Sequence, residues 1–147
     1  MREMWVKEKW RRADDEVLFS NYQFPRKDRD WNLEEVVRIV YNPITKDRTV
    51  MGIARIIRIQ PKDLKRTWQF YPYPNYPNTP DMITPTDAEE DGFTGMHGGG
   101  DTKKMESYYR KKYGWSRCER EPINKITLYW IDNSMIDAIA IAEASKL

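Results

Sequence analysis

The chain has 147 residues and a mass of 17.7 kDa, with 39% hydrophobic residues, which matches one folded domain with a real core and argues against a disordered tail. Its formal charge of +2 is unevenly spread: no Lys or Arg occurs from Trp68 to Asp101, so the flanking segments are basic. There is no run of about 18 apolar residues to cross a bilayer, and the start, MREMWVKEKWRRADDE, is too charged for a signal peptide, so the expected setting is the cytoplasm, away from membranes.

In chain order, Trp5, Trp10 and Ala13 are spaced for a short amphipathic helix. Val17 to Phe24, VLFSNYQF, reads as a strand ended by Pro25, which removes a ladder donor. Leu33 to Tyr41 and Thr49 to Gln60 are rich in β-branched residues, and Asn42 and Pro43 between them suit a turn, so the pair predicts a β-hairpin. Gly52, and a slip of the alternation at Ile56 and Ile57, predict a bulge or bend of the kind that curls a small sheet into a barrel.

From Trp68 to Ile83 the chain reads WQFYPYPNYPNTPDMI, and its prolines exclude both helix and central strand. Three readings of this loop stay open. Its aromatics pin it to the body, or they stack bases, or it is a polyproline-like ligand for a protein partner. Thr84 is placed to N-cap a helix beginning at Pro85, with Asp87 in the first turn and Gly92 as its stop. A second helix is predicted from Asp101 or Thr102 to Tyr113, with Gly114 at the left-handed end position. On it Met105, Tyr108 and Tyr109 share one face, while Lys103, Lys104, Arg110 and Lys111 group opposite. Ile126, Leu128 and Trp130 alternate with Lys125, Thr127 and Tyr129, the pattern of a strand with one face on a core. Met135, Ile136, Ile139, Ile141 and Ala142 predict a closing helix capped by Asn133 or Ser134. The expected fold is a single α+β domain: a small, mostly antiparallel barrel with short peripheral helices and a C-terminal helix.

The sequence offers little catalytic chemistry. Cys118 is the lone cysteine, so no internal disulfide exists, and a zinc site built on it and His97 would need carboxylates to complete it; no metal or cofactor is expected. With no positioned base, Cys118 reads as a buried or idle thiol. Met96 to Gly100, MHGGG, has the glycines of an esterase oxyanion turn, but the chain lacks a Gly-x-Ser-x-Gly elbow, so that reading is rejected. Asp87, Glu89, Glu90 and Asp91 are explained by the helix dipole rather than as an acid–base pair.

Taken together, MGIARIIRI, then ITPTDAEEDGF, then a helix ending in Tyr113 and Gly114, then INKITLYWI, resemble the ASCH family of the PUA-like superfamily of small β-barrels. The resemblance covers roughly Val17 to Ile131 and rests on caps, turns and core positions. It implies a barrel with a cleft lined by a Gly-x-Lys-x-x-Glu-x-Arg motif. The nearest counterpart is FPRKDRDW, in which Lys27 takes the lysine position, Pro25 replaces the glycine, Asp30 stands for the glutamate and Arg29 is the nearest arginine. Similar proteins include amidohydrolases acting on modified nucleosides with a lysine, a threonine and a glutamate, and others associated with RNA cleavage. No threonine closely follows Lys27, so no catalytic residue is assigned.

The binding residues expected from sequence are Arg26, Lys27 and Arg29 beside Trp31, a combination of cations and a flat ring that grips phosphates and stacks a base. A solvated turn paired with Asp28 and Asp30 is the alternative. Lys103, Lys104, Arg110 and Lys111 extend the patch if their helix packs nearby, and are otherwise a solvent face. Nothing chooses among Arg11, Arg12, Lys62, Lys65 and Arg66. The expected function is an RNA-binding module. The alternatives are a hydrolase acting on a nucleoside or RNA in the same cleft, and a protein-interaction module using residues 68–80.

Overall fold

The computed structural model describes residues 1–6, 18–41, 49–64 and 80–131. Six strands, β1 (Arg2–Val6), β2 (Leu18–Gln23), β3 (Val36–Tyr41), β4 (Thr49–Asp63), β5 (Asp81–Met82) and β6 (Ile123–Trp130), form one mixed, mostly antiparallel sheet in the order β1-β3-β4-β6-β2, with β5 added on β4. Three short helices, α1 (Pro85–Glu90), α2 (Thr102–Tyr113) and α3 (Trp115–Arg120), complete an α+β fold. None of these helices is long and apolar enough to cross a membrane. The described residues pack as two units, one drawn from 1–19, 31–58 and 127–131, the other from 20–30 and 59–126.

In the first unit β1 pairs in parallel with β3, from Arg2 opposite Val37 to Val6 opposite Tyr41. This corrects the N-terminal helix expected around Trp5. Met4 and Val6 are buried while Trp5 between them is half exposed, which is the period of a strand. Trp10 and Ala13 lie outside the described residues. β3 pairs antiparallel with β4 as the predicted hairpin requires, although its turn, residues 42–48, is also outside them. The register slips between Ile39 and Val40, which face Gly52 and Val50, so Met51 is the extra residue of a bulge. Gly52 beside it has φ 147°, and a Cβ there would lie 3.0 Å from Cζ3 of Trp130. The bend foreseen at Gly52 is present; farther on Ile56 is buried and Ile57 and Arg58 are both exposed. Trp130 stacks on Phe19 with ring centroids 4.4 Å apart, and Met4, Val37, Ile39, Ala54 and Leu128 of this unit are fully buried.

The second unit holds the helices. Its core is Tyr22, Phe24, Leu64, Ile83, Ala88, Met105, Tyr109, Cys118 and Ile123. α1 begins as predicted: the Thr84 hydroxyl accepts the Asp87 N–H, the Asp87 carboxylate accepts the Thr84 N–H at 2.9 Å, and Pro85 opens the helix. In α2 the Asp101 side chain accepts the N–H groups of Lys103 and Lys104, and Met105 and Tyr109 are buried as their spacing predicts. Gly114, at φ 91°, ends α2 and leads straight into α3, a helix the sequence reading did not foresee. Cys118 on α3 is fully buried, as one of the two sequence readings expects, and burial pushes its thiol pKa up. Asp81 and Met82, in the segment whose prolines predict a loop, instead form β5 and pair in parallel with Lys62 and Asp63. Residues 68–79 of that loop and the helix predicted over 133–142 lie outside the described residues.

Candidate nucleic-acid interface

Two networks hold the second unit in shape. The first is centred on Asp87, which is 1% exposed. Its Oδ1 accepts the Tyr22 hydroxyl at 2.8 Å and Lys125 Nζ at 2.9 Å, while Oδ2 lies 3.3 Å from Lys62 Nζ. Glu90 adds a second carboxylate, accepting Tyr22 at 3.0 Å and standing 3.2 Å from Lys125. Two ammoniums thus face two carboxylates, and the cluster is neutral as a whole. Burial alone would raise the Asp87 pKa, but Lys125, the Thr84 N–H and Tyr22 outweigh it and hold the carboxyl well below its ordinary range. Burial first, then the Asp87 hydrogen bond and charge, push the Tyr22 phenol far above its own.

A carboxylate that stays charged and a phenol that stays neutral do not exchange protons near neutrality, so this cluster is a pin joining α1 to β2, β4 and β6. The helix-dipole account of the acidic run is therefore incomplete. Asp87 is chiefly an ion-pair partner, and Asp91, 3% exposed, accepts the Tyr109 hydroxyl in the core. Neither Lys62 nor Tyr22 stood out in the sequence. The available signal was a capping-box aspartate together with a lysine at the inward phase of a strand.

The second network ties the loop after β2 to the corner between α2 and α3. Phe24 is buried, and its ring meets Tyr113 edge-on with centroids 5.0 Å apart. The Arg117 guanidinium lies 4.6 Å from the Phe24 centroid, and its Nη2 donates to the Pro25 carbonyl at 3.1 Å. Its Nε donates to Glu121 at 2.9 Å. The residues immediately after Pro25, namely Arg26, Lys27 and Arg29, are all exposed. Within the loop the Arg26 N–H reaches Asp30 at 3.4 Å. On the α2 side Lys112 donates to the Tyr108 hydroxyl at 3.3 Å. Burial opposes the Lys112 charge, but Tyr108 and Tyr113 outweigh it and raise its pKa, so the ammonium stays protonated.

The structure sorts the expected site residues into three groups. Arg26, Lys27 and Arg29 follow Pro25, whose carbonyl accepts from Arg117 on α3. Lys103 and Lys104 are exposed but stand at the opposite end of α2, roughly 14 Å along the axis from Lys112 at about 1.5 Å per residue. Lys104 there donates to the Thr94 carbonyl at 3.0 Å. Lys111 is exposed and nearer the corner.

Two expectations are corrected. Trp31 is 6% exposed and packs in the first unit, with the Arg2 guanidinium 4.3 Å from its centroid and Arg2 itself paired to Glu35, so its ring is a core element rather than an open stacking plane. Arg110 is 5% exposed, with Nε on Glu106 at 2.9 Å and Nη1 on Glu119 at 3.0 Å, and so does not belong to a basic solvent face. Its charge is spent inside the protein.

The exposed ring of this region is one the sequence reading passed over. Trp115, the first residue of α3, is 68% exposed, with the Arg110 guanidinium 4.1 Å from its centroid. Among the described residues no three His, Cys, Asp or Glu side chains converge as a metal site requires. No family model, no curated protein and no solved structure matches the chain.

Proposed function

We propose that this chain is an RNA-binding module, built on a PUA-like barrel of the ASCH type that its sequence resembles, and that it grips the phosphate chain where the Arg26–Arg29 loop meets the α2–α3 corner. The observation that carries this reading is the Arg117 anchor: one guanidinium lies over Phe24 and holds the Pro25 carbonyl, so the basic residues that follow are presented from a fixed base. Presenting cations from rigid elements reduces the ordering entropy lost when a polyanion binds. Of the neighbouring acids, Glu106 and Glu119 pair with Arg110 and Glu121 with Arg117, while Asp28 and Asp30 lie within the loop itself. With Arg26, Lys27, Arg29, Lys111, Lys112 and Arg120 also present, cations outnumber acids across the loop and the corner.

The test is titration of a labelled RNA with the wild type and with the Lys27→Glu, Arg29→Glu double variant. Binding that weakens as salt rises, and falls further in the variant, supports the reading. Equal affinity of the two proteins removes the loop from the interface.

A further inference from the structure

We infer that Trp115 is a stacking platform for an unpaired base, which makes the ligand a single-stranded segment rather than a duplex. This inference rests on the RNA-binding reading and narrows it to a substrate class. A tryptophan leaves about two-thirds of its surface in water only at the loss of a large hydrophobic gain, and Trp115 is 68% exposed. What lies against it is a guanidinium 4.1 Å from the centroid, which is held in turn by Glu106 and Glu119. The indole is thereby oriented without being buried, and a ring held by a cation on one side can accept a flat partner on the other.

The surroundings select the partner. Trp115 is two residues from Tyr113 and two from Arg117, the side chains that meet Phe24 beneath the basic loop. A ring beside a positive surface suits a ligand that alternates flat faces with negative charges, which is the repeat of a nucleic acid strand. In a duplex every internal base face is already covered by its neighbours, so no base face there is open to the ring. In a single strand one base can turn onto the indole while the flanking phosphates reach Lys27 and its neighbours.

The experiment compares Trp115→Ala with the wild type on a labelled single-stranded RNA and on the duplex of the same sequence, using the whole chain. Because Trp115 is not a core residue, the thermal midpoint should be unchanged, and a Trp115→Phe variant checks that a ring alone restores function. The expected result is a loss of about tenfold or more for the single strand in Trp115→Ala, largely recovered in Trp115→Phe, with duplex affinity unaltered. An equal loss on both ligands, or no loss on the single strand, overturns the inference while leaving the basic loop in place. A wild type that binds neither RNA overturns both this inference and the reading beneath it.

Discussion

Lys125 and Asp87 are 38 residues apart in sequence, yet Nζ and Oδ1 lie 2.9 Å apart, with the carboxylate almost wholly buried and Lys62 on its other oxygen. A buried carboxylate shared by two lysines is a point where one substitution takes the Asp87 partner from Lys62 and leaves Lys125 with Glu90 alone. Asp87→Asn should therefore destabilise the protein by about 3–5 kcal/mol, as breaking a buried pair does, measured as a lower midpoint in urea unfolding with little change in slope.

The same pair sets a pH dependence. The Asp87 pKa is depressed in the folded state, so its contribution is complete above the ordinary aspartate range and is lost as pH falls below about 4. Lys125, whose pKa is raised despite its burial because Asp87 and Glu90 accept from it, acts in the opposite direction. Its contribution is complete below about pH 10 and is lost as pH rises past that value, where Tyr22, also raised, adds to the loss. Unfolding free energy measured across pH should show both limbs, and Asp87→Asn should flatten the acid one.

Gly52→Ala tests the bulge. At φ 147° an alanine is strained, and its Cβ would press on the Trp130 ring at 3.0 Å. A loss on the order of 1–3 kcal/mol is expected in chemical denaturation. An unchanged midpoint would show that the ring yields freely and that the glycine is not required there.

Arg117→Met tests whether anchoring the loop matters as well as charging it. Methionine keeps the bulk over Phe24 but removes the donor to the Pro25 carbonyl and one positive charge. RNA affinity should fall severalfold with Lys27 and Arg29 intact. If Arg117→Met leaves the affinity unchanged, the anchor has no role in binding.

Local patterns carried much of the fold. Thr84, Pro85 and Asp87 wrote the start of α1, Asp101 and Gly114 the limits of α2, and the alternation from Ile126 to Trp130 the strand β6, because in each the decisive contacts lie within a few residues. β1 was misread since Trp5 with Trp10 and Ala13 fits a helical period while Met4 and Val6 fit a strand, and only the distant β3 decides between them. α3, WSRCER, has too few apolar positions to announce a helix, and two-residue β5 is set entirely by its pairing with β4.

The charged positions were legible in the sequence and their burial was not. Arg110 follows Tyr109 by about 100° around the helix, a boundary position whose fate depends on Glu119 and Trp115 beyond the helix end. Trp31 lies beside the basic loop in sequence but faces a core. The pin at Asp87 joins residues from Tyr22 to Lys125, a separation over which no local pattern operates.

The most direct measurement is the salt dependence of binding to a labelled single-stranded RNA by the wild type and by Lys27→Glu, Arg29→Glu. Each phosphate contact to a single strand contributes roughly 0.7 to the slope of log affinity against log salt, so removing two contacts should shallow the slope by roughly 1.4 and weaken binding at every salt concentration. Identical slopes and affinities for the two proteins, or no binding by the wild type at low salt, would contradict the account.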